Sequence, residues 1–336
     1  MFRRPGVGAG RRIGARAIGG NNLLAPGAPT ISAAGGVSIG QALTIAAGTP
    51  VGNPIGTYLL YRDGVSAGAV VSGYTYVAAD IAAAALTVRA TNAIGTSVDS
   101  NALAWAGILS AFGSMLTCWD NEAGQTGSPV DAWVNQQTSA AANWTATLTT
   151  RPSTGRRINS LAAPDFDGTN DKMVSASSMT SFIVATKMYF SGVLLIDAIT
   201  TNSAAYYFDE ALFTDSGQNI WIAFKSDGLG GGSIGFGMGP TLTPVELPIP
   251  VGTPFWFECW HDGTNINLRV GTTAATPVAC APIGSRAGTG IIGARYDSLA
   301  FMNGLIGTLI VCNDDPSASV KADSRAYHAA KWGVTA

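Results

Sequence analysis

Turn-forming residues interrupt this chain so often that a long helix has almost nowhere to form. The 336 residues include 42 Gly and 16 Pro, and between them the sequence runs in short stretches of alternating polar and apolar residues. Ala42-Leu43-Thr44-Ile45, Thr57-Tyr58-Leu59-Leu60-Tyr61 and Ala85-Leu86-Thr87-Val88-Arg89-Ala90 are examples, with the period of two that suits strands buried on one face. The connections Gly35-Gly36, Pro50-Val51-Gly52-Asn53-Pro54, Asp63-Gly64 and Asn92-Ala93-Ile94-Gly95 carry the Gly, Asn and Asp that antiparallel hairpins require. An all-β chain is predicted, and 47% hydrophobic residues suffice to fill its cores.

Only 12% of the residues are charged, and Lys+Arg 19 against Asp+Glu 21 leave a formal net charge of −2, which argues against wholesale nucleic-acid binding. The charge is uneven. Arg3, Arg4, Arg11, Arg12 and Arg16 crowd the first 16 residues, and acidic residues outnumber basic ones in the remainder. Residues 1–27 are otherwise Gly, Ala and small polar residues, too poor in large apolar side chains to fold alone. Three readings stay open for this basic arm: docking along a protein partner through bidentate arginine contacts, plain disorder, and salt-sensitive phosphate contact. Nothing aromatic interleaves the arginines except Phe2, so base stacking is not indicated.

No apolar run is long enough to span a membrane; the best, Phe182 to Ile199, is broken by Lys187, Ser191 and Asp197, so a soluble protein is expected. The arm also lacks the apolar block of a secretory signal, and Sec-type export is not expected. Cys118, Cys259, Cys280 and Cys312 show no CxxC spacing and read as buried reduced thiols, with a Cys118–Cys312 disulfide as the rival. Near the end, Val320, Tyr327 and Trp332 fall at roughly helical spacing. Ser317 or Ser319 is available as N-cap and Gly333 as C-cap, which predicts one short terminal helix over a sheet.

Two resemblances sharpen this outline. Within residues 28–106, "PTISAAGGVSIGQALTIAAGTP", "YLLYRDGV" and "YTYVAADIAAAALTVRATNAIGTS" resemble bacterial immunoglobulin-like modules of phage and surface proteins, which implies a small β-sandwich acting as spacer or adhesive unit. Within residues 107–336, "CWDNEAG…VDAWVNQQ", "PDFDGTNDKM", "FWFECWHDGTNINLRVG" and "FMNGLIGTLIVCNDDPSASVKADSRAYHAAKWG" resemble the laminin-G-like, concanavalin A-like lectin/glucanase superfamily. That likeness implies a larger two-sheet jelly roll whose first and last strands pair, bringing Cys118 near Cys312. The fold class expected is therefore a small immunoglobulin-like β-sandwich followed by a larger concanavalin A-like jelly roll with a short C-terminal helix.

Chemistry is sparse on this scaffold. Retaining β-glucanases of the superfamily set two carboxylates on one strand face by period-two alternation, and no such run exists here. Asp209 and Glu210 are adjacent, and Glu258 is followed by Asp262-Gly263, which reads as a turn. His261 and His328 supply a nucleophilic triad poorly and read as structural, so no enzyme is expected. Asp165, Asp167 and Asp171 around Gly168 have carboxylates at alternate positions, which leaves a calcium site open beside the Asp-Gly turn that the resemblance implies; no other cofactor is expected. Trp144, Tyr206, Tyr207, Trp221 and Tyr296 are the candidates to stack on a sugar ring, each weighed against a place in the core.

A basic arm, a spacer sandwich and a lectin-like jelly roll without an export signal together suggest a phage structural protein: a head decoration, fibre or tail-associated protein made in the host cytoplasm and displayed on the virion. On that reading its partners are the capsid or tail proteins of the same virion and host surface glycan, and it is a homo-oligomer. The alternatives are a secreted or cell-surface carbohydrate-binding protein and, behind it, a glycan hydrolase.

Overall fold

The computed structural model describes residues 24–33, 42–49, 56–76, 80, 85–103, 116–120, 125–126, 129–133, 143–178, 187–200, 210–215, 220–238, 244–282 and 288–335. The arginines of the arm and the expected boundary between residues 106 and 107 lie outside them.

The first sandwich is built from β1 (Thr30–Ala33), β2 (Ala42–Ala46), β3 (Thr57–Arg62), β4 (Val65–Val70), β5 (Tyr74–Thr75), β6 (Leu86–Asn92) and β7 (Gly95–Thr96). These make a three-stranded sheet, β1-β2-β5, and a four-stranded sheet, β4-β3-β6-β7. Ile31, Leu43, Leu60, Val70, Tyr76, Leu86 and Val88 close the core between them. Asp63 and Gly64 take φ of 49° and 79°, the left-handed pair that a two-residue hairpin between β3 and β4 needs. Asp80 is fully buried; one oxygen accepts from Arg62 Nε and the other from the Tyr74 hydroxyl, both at 2.8 Å, so the charge enters the core with its partners.

The second sandwich follows with β8 (Leu116–Asp120), β9 (Gln125–Thr126), β10 (Ala132–Trp133), β11 (Trp144–Thr145), β12 (Arg157–Ile158), β13 (Leu161–Ala162), β14 (Asp165–Asp167), β15 (Met173–Ser178) and β16 (Met188–Ile196). It continues through β17 (Glu210–Asp215), β18 (Ile220–Ser226), β19 (Gly232–Met238), β20 (Val245–Ile249), β21 (Phe255–His261) and β22 (Asn265–Val270). β23 (Thr273–Ala274), β24 (Val278–Ala279), β25 (Thr289–Ile292), β26 (Asn303–Cys312) and helix α1 (Ala318–Trp332) complete it. One sheet runs β20-β19-β18-β17-β25-β15-β11-β10-β9. The other runs β14-β26-β16-β21-β22-β23, with β8 beside β26 and β24 beside β22. Alternate residues from both fill the space between: Phe190, Leu194, Phe257, Leu268 and Leu309 from one, Phe213, Ile222, Phe224 and Phe236 from the other. The Phe190 and Phe213 rings stand 5.0 Å apart. The fold class is all-β, two sandwiches in series with one short terminal helix.

The expected pairing of first and last strands is present in β8 and β26, but the disulfide is not. Register sets Cys118 opposite Ile310 and Leu116 opposite Cys312, so the two cysteines are diagonal neighbours, roughly 7–8 Å apart, beyond the roughly 4.4–6.8 Å Cα separation a disulfide spans. Cys312 is a buried free thiol, as are Cys259 and Cys280.

Helix α1 begins and ends where its caps predict. Ser317 accepts from the Val320 N–H, and Gly333, at φ 66°, donates to Ala329. It covers the outer face of the eight-stranded sheet, where Trp332 packs against Ile158, Val193, Trp256 and Leu305 and donates from Nε1 to Thr308 Oγ1 at 2.7 Å. A methyl group at Gly307 would fall 2.9 Å from that indole, which is why a bare backbone lies beneath it. The rest of the contact is polar. Ser191 Oγ sits 2.7 Å from His328 Nε2 and 3.0 Å from Ser324 Oγ. Glu258 accepts from the Tyr189 hydroxyl at 3.1 Å and from Arg325 at 2.8 Å, and the Lys321 ammonium lies 4.0 Å from the centre of the Trp260 ring.

His328 is fully buried; burial, and then the nearby Lys331 charge, hold its imidazole down to about 3. The folded state therefore keeps it neutral while the unfolded chain protonates it near its ordinary value. Its contribution to stability is complete above about pH 6.5 and is lost as pH falls from there toward 3, with a limiting slope of about 1.4 kcal/mol per pH unit. Urea unfolding between pH 7 and 4 should show that slope in the difference between the wild-type chain and His328→Gln, and the His328 ring resonances should not titrate above pH 4.

Candidate functional site

The two outer faces of the larger sandwich differ. One lies under α1; the other, on the nine-stranded sheet, carries the site. Ile220, Ile222 and Phe224 of β18 point into the core, so Trp221, Ala223 and Lys225 point away from it. Register places Trp221 opposite Gly237, Ala223 opposite Gly235 and Lys225 opposite Ser233 on β19. It places Glu246 opposite Gly235, and Pro248 opposite Ser233, on β20. Trp221 lies flat across β19: a methyl group at Gly237 would fall 2.3 Å from its ring carbons. Over Gly235 a methyl group would meet the Trp221 ring at 3.3 Å and the Glu246 side chain at 3.4 Å. An indole edge and a carboxylate arm thus flank one bare glycine.

Below them a cleft of about 280 Å³ is lined by Lys225, Ser226, Asp227, Gly232, Ser233, Glu246 and Pro248. Among the described residues, Lys225, Ser233 and Glu246 have no hydrogen bond or ion pair to another side chain or to backbone. Asp227 is partly committed: its Oδ1 accepts from the N–H groups of Leu229 and Gly231 at 2.7 and 2.9 Å, fixing the hairpin that forms one wall. The cleft offers a cation, two carboxylates and the hydroxyls of Ser226 and Ser233, and Gly232 is the one lining position without a side chain.

The residues singled out from sequence are dispersed. Trp144 is a correction: it is fully buried, with its ring 6.3 Å from Phe213, because the face of β11 on which it stands points into the sandwich. Trp221 is on the outer face, but only 5% of its surface is exposed; its ring is packed over the two glycines, and it neither lines the cleft nor offers an open platform. Tyr296 is 36% exposed, in the loop between β25 and β26, and lines neither this cleft nor its neighbour described below. Tyr206 and Tyr207 lie outside the described residues.

The Asp165, Asp167 and Asp171 set does not form a cation cage either; among the described residues no three His, Cys, Asp or Glu side chains are grouped to hold a metal. Asp165 pairs with Arg156 at 3.0 Å. Asp167 closes its own turn by accepting from the N–H groups of Thr169 and Asn170, and Asp171 accepts from the Asp167 N–H at 3.0 Å. The strand, Asp-Gly turn and strand that the resemblance implies are present as β14 and β15. Glu258, His261 and Asp262 are structural: His261 Nε2 lies 2.9 Å from the Cys280 carbonyl, and Asp262 caps a turn through Thr264 and Asn265. Burial pushes the Asp262 carboxyl up, but those backbone donors, the Thr264 hydroxyl and the Asn267 amide outweigh it and hold the group well below the usual carboxylate range.

Lys225, Ser233, Glu246 and Pro248 were not found by sequence reasoning. Their only trace is the "IWIAFKS…GSIGFGM" pair, in which outward glycines face an outward tryptophan across a hairpin. Among the described residues, no helix is long and apolar enough to cross a membrane.

No protein-family model matches the chain, and no curated protein matches it. Among solved structures, domain 4 of AbnA, an extracellular GH43 arabinanase from Geobacillus stearothermophilus in complex with arabinotriose, shares 13% identity over 51% of this chain and 81% of its own, at a TM-score of 0.38. A mutant Trypanosoma rangeli sialidase with trans-sialidase activity shares 8% over 89% of this chain, which spans 49% of that chain, at 0.45. A GH54 α-L-arabinofuranosidase shares 11% over 92% and 62%, at 0.41. These matches are glycoside hydrolases, and the expectation that the chain is not an enzyme is withdrawn. That expectation had searched for paired carboxylates within one strand, whereas Asp227 and Glu246 enter one cleft from separate elements. With all three TM-scores below 0.5, the site rests on this chain's own geometry.

Burial pushes the Asp171 carboxyl up to about 6; the Asp167 N–H opposes this, and the charges of Asp167 and Asp165 add to it. The folded state therefore binds this proton more tightly than the unfolded chain, so its contribution is greatest below about pH 4 and falls as pH rises to about 6. Asp171→Asn keeps an acceptor for the Asp167 N–H and removes the ionisation. Its Tm relative to wild type should be higher at pH 7 than at pH 4, measured by thermal melts in matched buffers.

Proposed function

We propose that this chain is a carbohydrate-binding protein whose larger sandwich takes its ligand on the outer face of the nine-stranded sheet. One observation carries the reading: a cleft on this face gathers Lys225, Ser233 and Glu246, whose side chains have no partner among the described residues, beside Gly232 and Pro248. A polyhydroxylated ring has apolar C–H faces and hydroxyls at its edge. It fits a cleft with Pro248 and Gly232 in its wall and charged and hydroxyl donors and acceptors at its side. The resemblance of four segments to the laminin-G-like, concanavalin A-like superfamily supports the same reading. Titration of the full chain against the hits of a glycan array should find a ligand whose affinity falls tenfold or more in Glu246→Gln and in Lys225→Ala. Both positions are exposed, so their melting temperatures should stay near wild type. Unchanged affinity in both variants would remove the cleft from the reading.

A hydrolytic reading is favoured by one specific feature, the presence of Asp227 and Glu246 in the same cleft. Release of reducing sugar in the wild-type chain, abolished in Glu246→Gln even at glycan concentrations that saturate the variant, would identify it.

Display on a virion is the finer reading, supported by sequence alone. The arm bearing Arg3, Arg4, Arg11, Arg12 and Arg16 anchors the chain to capsid or tail proteins, and the two sandwiches project outward as a homo-oligomer. Deleting residues 1–24 should abolish salt-sensitive incorporation into particles while leaving glycan binding intact. A secreted or cell-surface binder would be indifferent to that deletion.

A further inference from the structure

Pro248 has a second neighbour. It also lines a cleft of about 360 Å³ that continues past the edge of the nine-stranded sheet, between Pro250 and Pro254 on one side and the β22–β23 turn on the other. β20 is the outermost strand of its sheet, and Pro248 and Pro250 carry no N–H, so this edge is poorly suited to pairing with another strand. The floor is apolar, formed by the buried rings and methyls of Phe255 and Val270. The rim carries Thr253, Thr272, Thr273 and Thr335, all exposed, and among the described residues their hydroxyls make no hydrogen bond. No charged side chain lines this second cleft, in contrast to the first.

We propose that the two clefts are consecutive stretches of one binding path, and that the ligand is a linear polysaccharide whose chain crosses the Pro248 edge. The inference rests on the carbohydrate reading of the first cleft. The shared Pro248 wall favours a chain over a single sugar: the clefts of about 280 and 360 Å³ meet at that residue, and joined they accommodate several units within the roughly 300–1,000 Å³ range of small-molecule sites. The division of chemistry agrees. Charged and carboxylate groups sit only in the first cleft, so the length of chain beyond Pro248 is uncharged sugar, its hydroxyls met by threonines and its C–H faces by Phe255 and the prolines. A chain held at both places gains affinity with length until both clefts are filled, and none after that.

The test uses the full chain and three series of linear oligosaccharides, cello-, laminari- and arabino-oligosaccharides of two to eight units, titrated by calorimetry. In the series that binds, affinity should rise at least tenfold between the dimer and the longest members. The double variant Thr272→Val, Thr273→Val, at exposed positions, should abolish that gain and leave dimer affinity unchanged. Binding that is independent of length, or a length gain untouched by the double variant, would overturn the extended path while the first cleft stands. Absence of binding in all three series, together with no effect of Glu246→Gln on any glycan-array hit, would overturn the carbohydrate reading and this inference with it.

Discussion

Everything in the larger sandwich depends on the eight-stranded sheet being covered on both faces. Nearly every residue of β16 and β26 is buried, so no polar group placed there has water to fall back on. The inner face solves this mainly with aromatic and aliphatic side chains, and its buried His261 is hydrogen-bonded to the Cys280 carbonyl. The outer face carries Ser191, Glu258 and Thr308, and each is answered by a group from α1: Ser324 and His328 for Ser191, Arg325 for Glu258, and the Trp332 indole for Thr308, while the Tyr189 hydroxyl donates to Glu258 within the sheet. Truncating one of these α1 partners with the helix in place leaves a buried group unanswered, at about 1–3 kcal/mol for a neutral group and more for the charge. The helix is part of the core.

That constraint explains which face is left for recognition. With one sheet closed by α1, the outer face of the nine-stranded sheet is the remaining broad surface, and it is built on the opposite plan. Ala211, Ala223, Gly235 and Gly237 give it almost no side-chain relief. A tryptophan lies on glycine in both places, Trp332 over Gly307 and Trp221 over Gly237, but the outcomes differ. Beneath α1 the indole locks two layers together; on the nine-stranded sheet Trp221 is buried over Gly237, apart from the cleft that Lys225, Ser233 and Glu246 line.

The fold was largely legible because its signals are local. Alternation marked the strands, Asp63-Gly64 and Asn92-Ala93-Ile94-Gly95 marked the hairpins, and Ser317 and Gly333 marked both ends of the helix. What sequence could not supply was register. Trp144 and Trp221 look equally exposed in an alternating strand, and only the pairing of β11 and β18 with their neighbours assigns one to the core and the other to the outer face. Register also separates Cys118 from Cys312 by one diagonal step. The polar underside of α1 was hidden for a related reason: Lys321, Ser324, Arg325 and His328 form a stripe that reads as a solvated face until the sheet beneath supplies its partners.

The candidate site was the least legible part because its residues come together only through strand register. Glycine in a strand reads as a weakness or a bulge. In β19 Gly237 makes the room that the Trp221 ring fills, a match that only the register of β18 and β19 reveals. An edge strand interrupted by proline likewise reads as protection against aggregation. In β20 the same Pro248 that leaves the edge without a donor lines a cleft on either side of it. A single residue thus serves negative and positive recognition together, since the edge that refuses another strand is the one left open to a ligand that binds through hydroxyls and C–H faces instead of a backbone ladder.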